Sequence, residues 1–208
     1  MKMKKATQIT CLFLDIGGVL LTDGWNTHAR KLAASHFDLD FPEMEDRHRL
    51  VFSVYEEGKL SLKEYLNRTV FFEERPFTRD KFRDFMFAQS KADPEMIELV
   101  LTLKAKYGLK TIVVSNEARE LNAYRIRKFD LNGFVDAFVS SCFVGSRKPD
   151  PEMFLLALDI AQVPPEQIVY IENTEMFVDI AEAMGMNGIR HTDHESTRVR
   201  LEAFGLSC

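Results

Sequence analysis

The chain has 208 residues, 46% of them hydrophobic and 28% charged, with a formal net charge of −5. That balance suits a globular protein able to bury a sizeable core, and its acidity counts against nucleic acid or an anionic membrane as the main partner. Three cysteines, Cys11, Cys142 and Cys208, have no framework spacing and are expected as reduced thiols of a cytoplasmic protein.

The chain opens with MKMKK and then ITCLFLDIGGVLL, which imitates a secretory signal. Asp15 interrupts the apolar run, the run before it is short, and no small-residue cleavage site follows. No segment is long enough to span a bilayer. The first strand is expected over Ile9–Asp15, an apolar run that ends on an acid. Such an acid needs a partner or a ligand. Gly17 and Gly18 follow, then the turn signal Asp23-Gly24.

Between about residue 22 and residue 93 no convincing strand occurs. The pattern predicts helices over Asn26–Phe37, Pro42–Glu57, Leu62–Phe72 and Thr78–Gln89, with Ser61 and Glu64 forming a capping box. Beyond this segment strands and helices alternate. Strands are expected at Thr111–Ser115, Ala137–Ser141, Ile168–Glu172 and Gly188–His191. Helices are expected at Pro94–Tyr107, Glu117–Phe129, Pro151–Ala161, Phe177–Met184 and Glu195–Ala203. Alternation of this kind predicts the α/β class with a parallel sheet. The domain boundaries follow as a core of residues 1–21 and 94–208, with a helical insert of residues 22–93.

In a parallel α/β sheet ligands bind beyond the carboxyl ends of the strands. Those ends carry Asp15, then Ser115-Asn116, then Lys148 in SRKPDPEMF, then Glu172-Asn173. Each residue alone has a plain structural use. An acid, a hydroxyl, an ammonium and an acid–amide pair at one rim is a different matter.

This set resembles the haloacid dehalogenase superfamily, most of whose members are phosphatases, over nearly the whole chain. It is most similar to small sugar-phosphate phosphatases and to the phosphatase domain of bifunctional epoxide hydrolases. The resemblance implies a Rossmann-like parallel sheet with an inserted α-helical cap. It implies Asp15 as nucleophile, and Lys148 as the cation that steadies Asp15 and the phosphoryl group. Ser115, Asn116 and the backbone N–H groups of Ile16 and Gly17 would donate to phosphoryl oxygens. Magnesium would sit on Asp15, the carbonyl of Gly17, and the pair Glu172 and Asn173. The substrate would be a small phosphorylated molecule, and the chain a monomer or homodimer.

Two positions depart from the superfamily pattern. The second aspartate, which protonates the leaving group, is replaced by Gly17, and one metal-site acid by Asn173. Reduced phosphatase activity and weak Mg²⁺ binding are therefore expected. The alternatives are a non-catalytic homologue that binds a phospho-ligand or partner, and a hydrolase of carbon–halogen or carbon–phosphorus bonds. A receiver domain is disfavoured by the insert and by the acid's place on the first strand. His191 to His194 lack enough ligands for zinc, Asp179 is expected to be solvated, and the run Arg125 to Lys128 reads as a solvated helix face. Phe71, Phe72, Phe82, Phe85 and Phe87 read as insert core. Trp25, His28, Arg47 and Tyr55 are candidates to face the substrate.

Overall fold

The computed structural model describes residues 8–208, so the opening MKMKK lies outside it. Five strands form one parallel sheet: β1 (Cys11–Leu14), β2 (Lys110–Ser115), β3 (Ala137–Ser140), β4 (Ile168–Glu172) and β5 (Asn187–Arg190). Their spatial order is β3-β2-β1-β4-β5. Residues Cys11 to Leu14 are fully buried, which explains why the strand reads as a continuous apolar run rather than an alternating one. Leu12 and Leu14 face one side, with Leu99, Val100 and Leu103 of helix α5 (Pro94–Tyr107) and Leu201 of the C-terminal helix. Cys11 and Phe13 face the other side, with Phe154 and Ala157 of the helix Pro151–Ala161. Burial pushes the Cys11 thiol up to about 12, so it is an inert core residue.

Four helices lie between β1 and β2: α1 (Thr27–Phe37), α2 (Phe41–Glu56), α3 (Leu62–Thr69) and α4 (Arg79–Ala88). Each begins on a side chain that accepts a first-turn N–H: Asn26, Asp40, Ser61 and Thr78. The Ser61–Glu64 capping box is present. These helices share their own cluster around Phe37, Tyr65, Phe82 and Met86, packed by Phe71, Phe77, Phe85 and Phe87. The chain leaves for this helical layer and returns side by side. Leu21 bridges Ala92, Thr22 N–H donates to the Lys91 carbonyl at 2.9 Å, and Asp93 N–H to that of Leu20 at 2.9 Å.

After β2 come α6 (Arg119–Lys128), α7 (Ser141–Val144), α8 (Pro151–Ala161), α9 (Glu175–Ala183) and α10 (His194–Ala203). The expected elements are all present, with ends that coincide or shift by at most three residues. Helix α3 stops at Thr69 rather than Phe72, since Phe71 turns to pack on Phe77 and Phe82. Ser141 starts the short helix α7 instead of ending β3.

In the run Arg125 to Lys128, Arg127 and Lys128 are exposed as expected, but Arg125 corrects the expectation of a solvated face. Arg125 is fully buried, ion-paired with Glu117, and donates to the carbonyl of Thr22. Asp179 is exposed, as expected. His191 is buried and hydrogen-bonded to Thr197 at 2.8 Å. Among the described residues no group of three or more His, Cys, Asp or Glu side chains could hold a metal, and no helix is long and apolar enough to cross a membrane.

Candidate active site

The order β3-β2-β1-β4-β5 places the switch point between β1 and β4, since the chain builds outward on one side of β1 and then on the other. Leu14 pairs with Ile171, and Asp15 N–H donates to the Ile171 carbonyl at 3.0 Å. The two residues that follow this pair, Asp15 and Glu172, are therefore brought side by side by the ladder itself. Lys148 joins them from the loop before α8. Its Nζ lies 3.1 Å from Asp15 Oδ1, 2.5 Å from Glu172 Oε2 and 3.0 Å from the Tyr170 hydroxyl. Tyr170 donates to Glu172 Oε2 at 2.6 Å, and Thr174 N–H to Glu172 Oε1 at 2.8 Å.

This cluster is nearly dry. Asp15 is 7% exposed, and Lys148 and Glu172 are each 1% exposed. Burial, then the Glu172 carboxylate, pushes the Asp15 carboxyl up to about 6, against the pull of Lys148 and Ser115. Burial pulls the Lys148 ammonium down, but the carboxylates of Asp15 and Glu172 outweigh it and hold it above its usual range. Lys148 is thus a permanent cation. Its three N–H donors are all committed, which fixes its direction.

Ser115 ends β2 and is 1% exposed. Its Oγ accepts from Ile16 N–H at 3.4 Å, which ties the backbone after Asp15 to the neighbouring strand. Asn116 makes a reciprocal pair with the Lys148 backbone: Oδ1 accepts its N–H at 2.8 Å and Nδ2 donates to its carbonyl at 2.9 Å. Its amide is largely engaged in holding the lysine loop. Gly18 has φ +79°, and a Cβ there would stand 2.2 Å from Nδ2 of Asn173. Only glycine lets that amide approach so closely.

A cavity of about 440 Å³ opens above these groups. Asp15, Gly17, Asn116, Lys148, Glu172 and Asn173 line its floor. Trp25, Arg30, His48, Phe52 and Tyr55 of the helical layer and its approach line the other side. Trp25 and Tyr55 therefore face the cavity. His28 is exposed and Arg47 pairs with Glu43 over the Phe72 ring, so neither reaches it.

Several contributors escape sequence reading. Tyr170 looks like one more apolar strand residue. Glu117 also lines the cavity, and burial pushes its carboxyl up to about 7, with Arg125 opposing and Asp15, Glu56 and Asp23 reinforcing. Arg30 and Glu45 form a buried pair at 2.7 Å in the cavity wall. Their spacing of fifteen residues on two helices leaves no local signal.

The family model of haloacid dehalogenase-like hydrolases matches residues 9–185, and the chain belongs to this family. It is 30% identical over 189 residues to the phosphorylated carbohydrates phosphatase of Thermotoga maritima, covering 88% of this chain and 85% of that one. It is 28% identical over 123 residues to the bifunctional epoxide hydrolase 2 of Sus scrofa, covering 57% of this chain but only 22% of that longer protein. Among solved structures, a haloacid dehalogenase family enzyme of Bacteroides thetaiotaomicron, in complex with magnesium and inorganic phosphate, superposes with a TM-score of 0.75. It shares 18% identity and covers 88% of this chain and 94% of that one.

Proposed function

We propose that the protein is a phosphatase acting on a small organic phosphate through Asp15 as covalent nucleophile, with residues 22–93 serving as the cap that encloses the substrate. The carrying observation is the placement of Lys148 against both Asp15 and Glu172 at the floor of the cavity. The relative that acts on phosphorylated carbohydrates supports the substrate class.

The chain's own groups divide the work. Asp15 Oδ attacks phosphorus while Lys148 offsets the charge that develops on the phosphoryl oxygens. Ser115 accepts the Ile16 N–H and so steadies the backbone after Asp15, which leaves the Gly17 N–H as the backbone donor for the phosphoryl oxygens. Asn116 holds the lysine loop in register. Glu172 keeps Lys148 aimed and, with Tyr170, compensates its burial.

Oxygen donors around Asp15 suit magnesium, which is commonly held by one or two carboxylates together with substrate phosphate and water. Asp15, the Gly17 carbonyl, Glu172 and Asn173 would hold it, and it would supply charge neutralisation at the transferring phosphoryl group. Asn173 brings no charge and Glu172 is already engaged by Lys148, so high Mg²⁺ concentrations should be needed.

The test is a panel of sugar, alkyl and aryl phosphates assayed with and without Mg²⁺ on the wild type and on Asp15→Asn. The wild type is expected to turn over some of them and to carry a phosphate adduct on Asp15 in a rapidly quenched sample. Asp15→Asn should be folded, inactive and free of adduct, because an amide forms no acyl phosphate. Activity retained in pure Asp15→Asn would sink the covalent mechanism. A wild type that binds inorganic phosphate yet hydrolyses nothing would leave a non-catalytic binding protein.

A further inference from the structure

The departing oxygen of an alkyl phosphate needs a proton, and Gly17 cannot give one. The donors around the cavity can be sorted by what they already do. Lys148 spends all three N–H groups on Asp15, Tyr170 and Glu172. Glu117 is locked in a buried ion pair with Arg125, and Glu56 pairs with Arg147 at 2.8 Å. His48 is bonded through Nδ1 to Tyr65 at 2.8 Å, and burial lowers it to about 4, so it holds no spare proton near neutrality.

Asp23 remains. Its Oδ2 has one long contact, 3.5 Å from Asn26 Nδ2, and among the described residues nothing bonds its Oδ1. That free Oδ1 stands 3.3 Å from the point where a Cβ on Gly17 would be, and the carboxylate lines the same cavity as Asp15. The turn that carries Asp23 is anchored through Thr22, whose carbonyl accepts from buried Arg125 and from the Gly24 N–H at 2.7 Å. The carboxyl is thus delivered from a neighbouring turn to the place that a side chain at position 17 would fill.

Resting on the phosphatase function above, we infer that Asp23 is the general acid and base that replaces the acid missing at Gly17. In the first half-reaction an Asp15 oxygen bonds to phosphorus and the ester P–O bond breaks. The bonding pair goes to the leaving oxygen, which takes the proton of Asp23 and departs as the alcohol. In the second, a water oxygen bonds to phosphorus and gives its proton to the Asp23 carboxylate. The bond between Asp15 and phosphorus breaks, its electron pair returns to the Asp15 carboxylate, and inorganic phosphate leaves.

The experiment is a leaving-group series, from alkyl to nitrophenyl phosphates, on the wild type, Asp23→Asn, Gly17→Asp and the double variant. Asp23 sits on an exposed turn and asparagine fills the same space, so the fold should persist, with the melting temperature as control. For Asp23→Asn, kcat/KM should fall about 10²–10⁴-fold on alkyl esters and less than about tenfold on nitrophenyl phosphate, which leaves without a proton. Phosphoenzyme should also accumulate in that variant, because the second step has lost its base. A merely structural loss would depress all esters together and leave the slope against leaving-group acidity unchanged. Gly17→Asp alone should bring no gain, since Asp23 already supplies the acid and a second carboxylate beside it would be repelled, whereas in the uncharged Asp23→Asn background it should restore alkyl turnover. An unchanged slope in Asp23→Asn, or a gain on alkyl esters from Gly17→Asp alone, overturns the assignment of Asp23 while leaving the phosphatase intact. A wild type inert even on nitrophenyl phosphate, with no adduct on Asp15, overturns both.

Discussion

The sheet and the helical layer are built on different principles, and the cavity lies where they meet. The sheet packs aliphatic side chains on both faces and is pinned by hydrogen-bonded ladders through all five strands. The helical layer packs rings: Phe37 stands within 5.5 Å of Phe77, Phe82 and Phe85, and Tyr55 stacks on Tyr65 at 4.2 Å. Its polar members are also joined through side chains, as in Trp25 Nε1–H donating to the Tyr65 hydroxyl at 2.9 Å and that hydroxyl contacting His48. A ladder fixes which residues stand side by side, as it does for Asp15 and Glu172, whereas ring packing sets positions through side chains that meet side chains.

The contrast breaks most visibly at Phe82, the fully buried centre of the ring cluster. Phe82→Ala should cost about 3–5 kcal/mol. Amide exchange should accelerate in α1, α2, α3 and α4 while β1 and β4 keep their protection. Equal acceleration in both regions would mean that the two layers open as one unit.

A smaller effect should come from pH. Burial, with Arg30 assisting, holds His48 in the helical layer down at about 4, against an ordinary value near 6.5. The unfolded chain therefore binds more protons across that window, and stability should fall as pH drops from 6.5 toward 4. Screening at this half-buried site limits the loss to on the order of 2 kcal/mol. Denaturant titrations at pH 7 and pH 4.5 should show it in the wild type, and His48→Gln should flatten it. An unaltered slope in that variant would place the pH response elsewhere.

The mildest probe is Ile112→Val in β2, at a buried position far from the cavity floor. It should cost about 0.5–1.5 kcal/mol. Exchange should quicken uniformly through the sheet, because a ladder shares its losses. A response confined to β2 would argue that the sheet is less cooperative than its pairing suggests.

Much of this molecule is legible in its residues, and the illegible parts have a common cause. Asp15, Ser115 and Glu172 could be read because each ends an apolar run, and a parallel sheet gathers such ends at one rim, while Lys148 could be read from the SRKPDPEMF stretch around it. Arg125 could not, since its burial depends on Glu117 two turns earlier and on a carbonyl 103 residues away. Tyr170 was hidden because strands buried on both faces show no alternation to mark which residues point where. Among the ring residues, Phe82 could be assigned to the core of the insert from its apolar setting. Which rings face the cavity depends on how the helices cross, and Arg47 and His28 show how little a helical sequence says about that.

The paired backbone at residues 20–22 and 91–93 has a further consequence. Everything between leaves and re-enters the sheet body through one doorway, so the separation of β1 and α5 in space does not depend on how much chain is threaded through it. Closing such a loop costs only logarithmically more as it lengthens. The helical layer is in this sense a cassette. A tight turn joining Leu21 to Ala92 would leave the floor of Asp15, Lys148 and Glu172 standing as an open shelf, and a different set of helices spliced at the same doorway would give that floor a different wall.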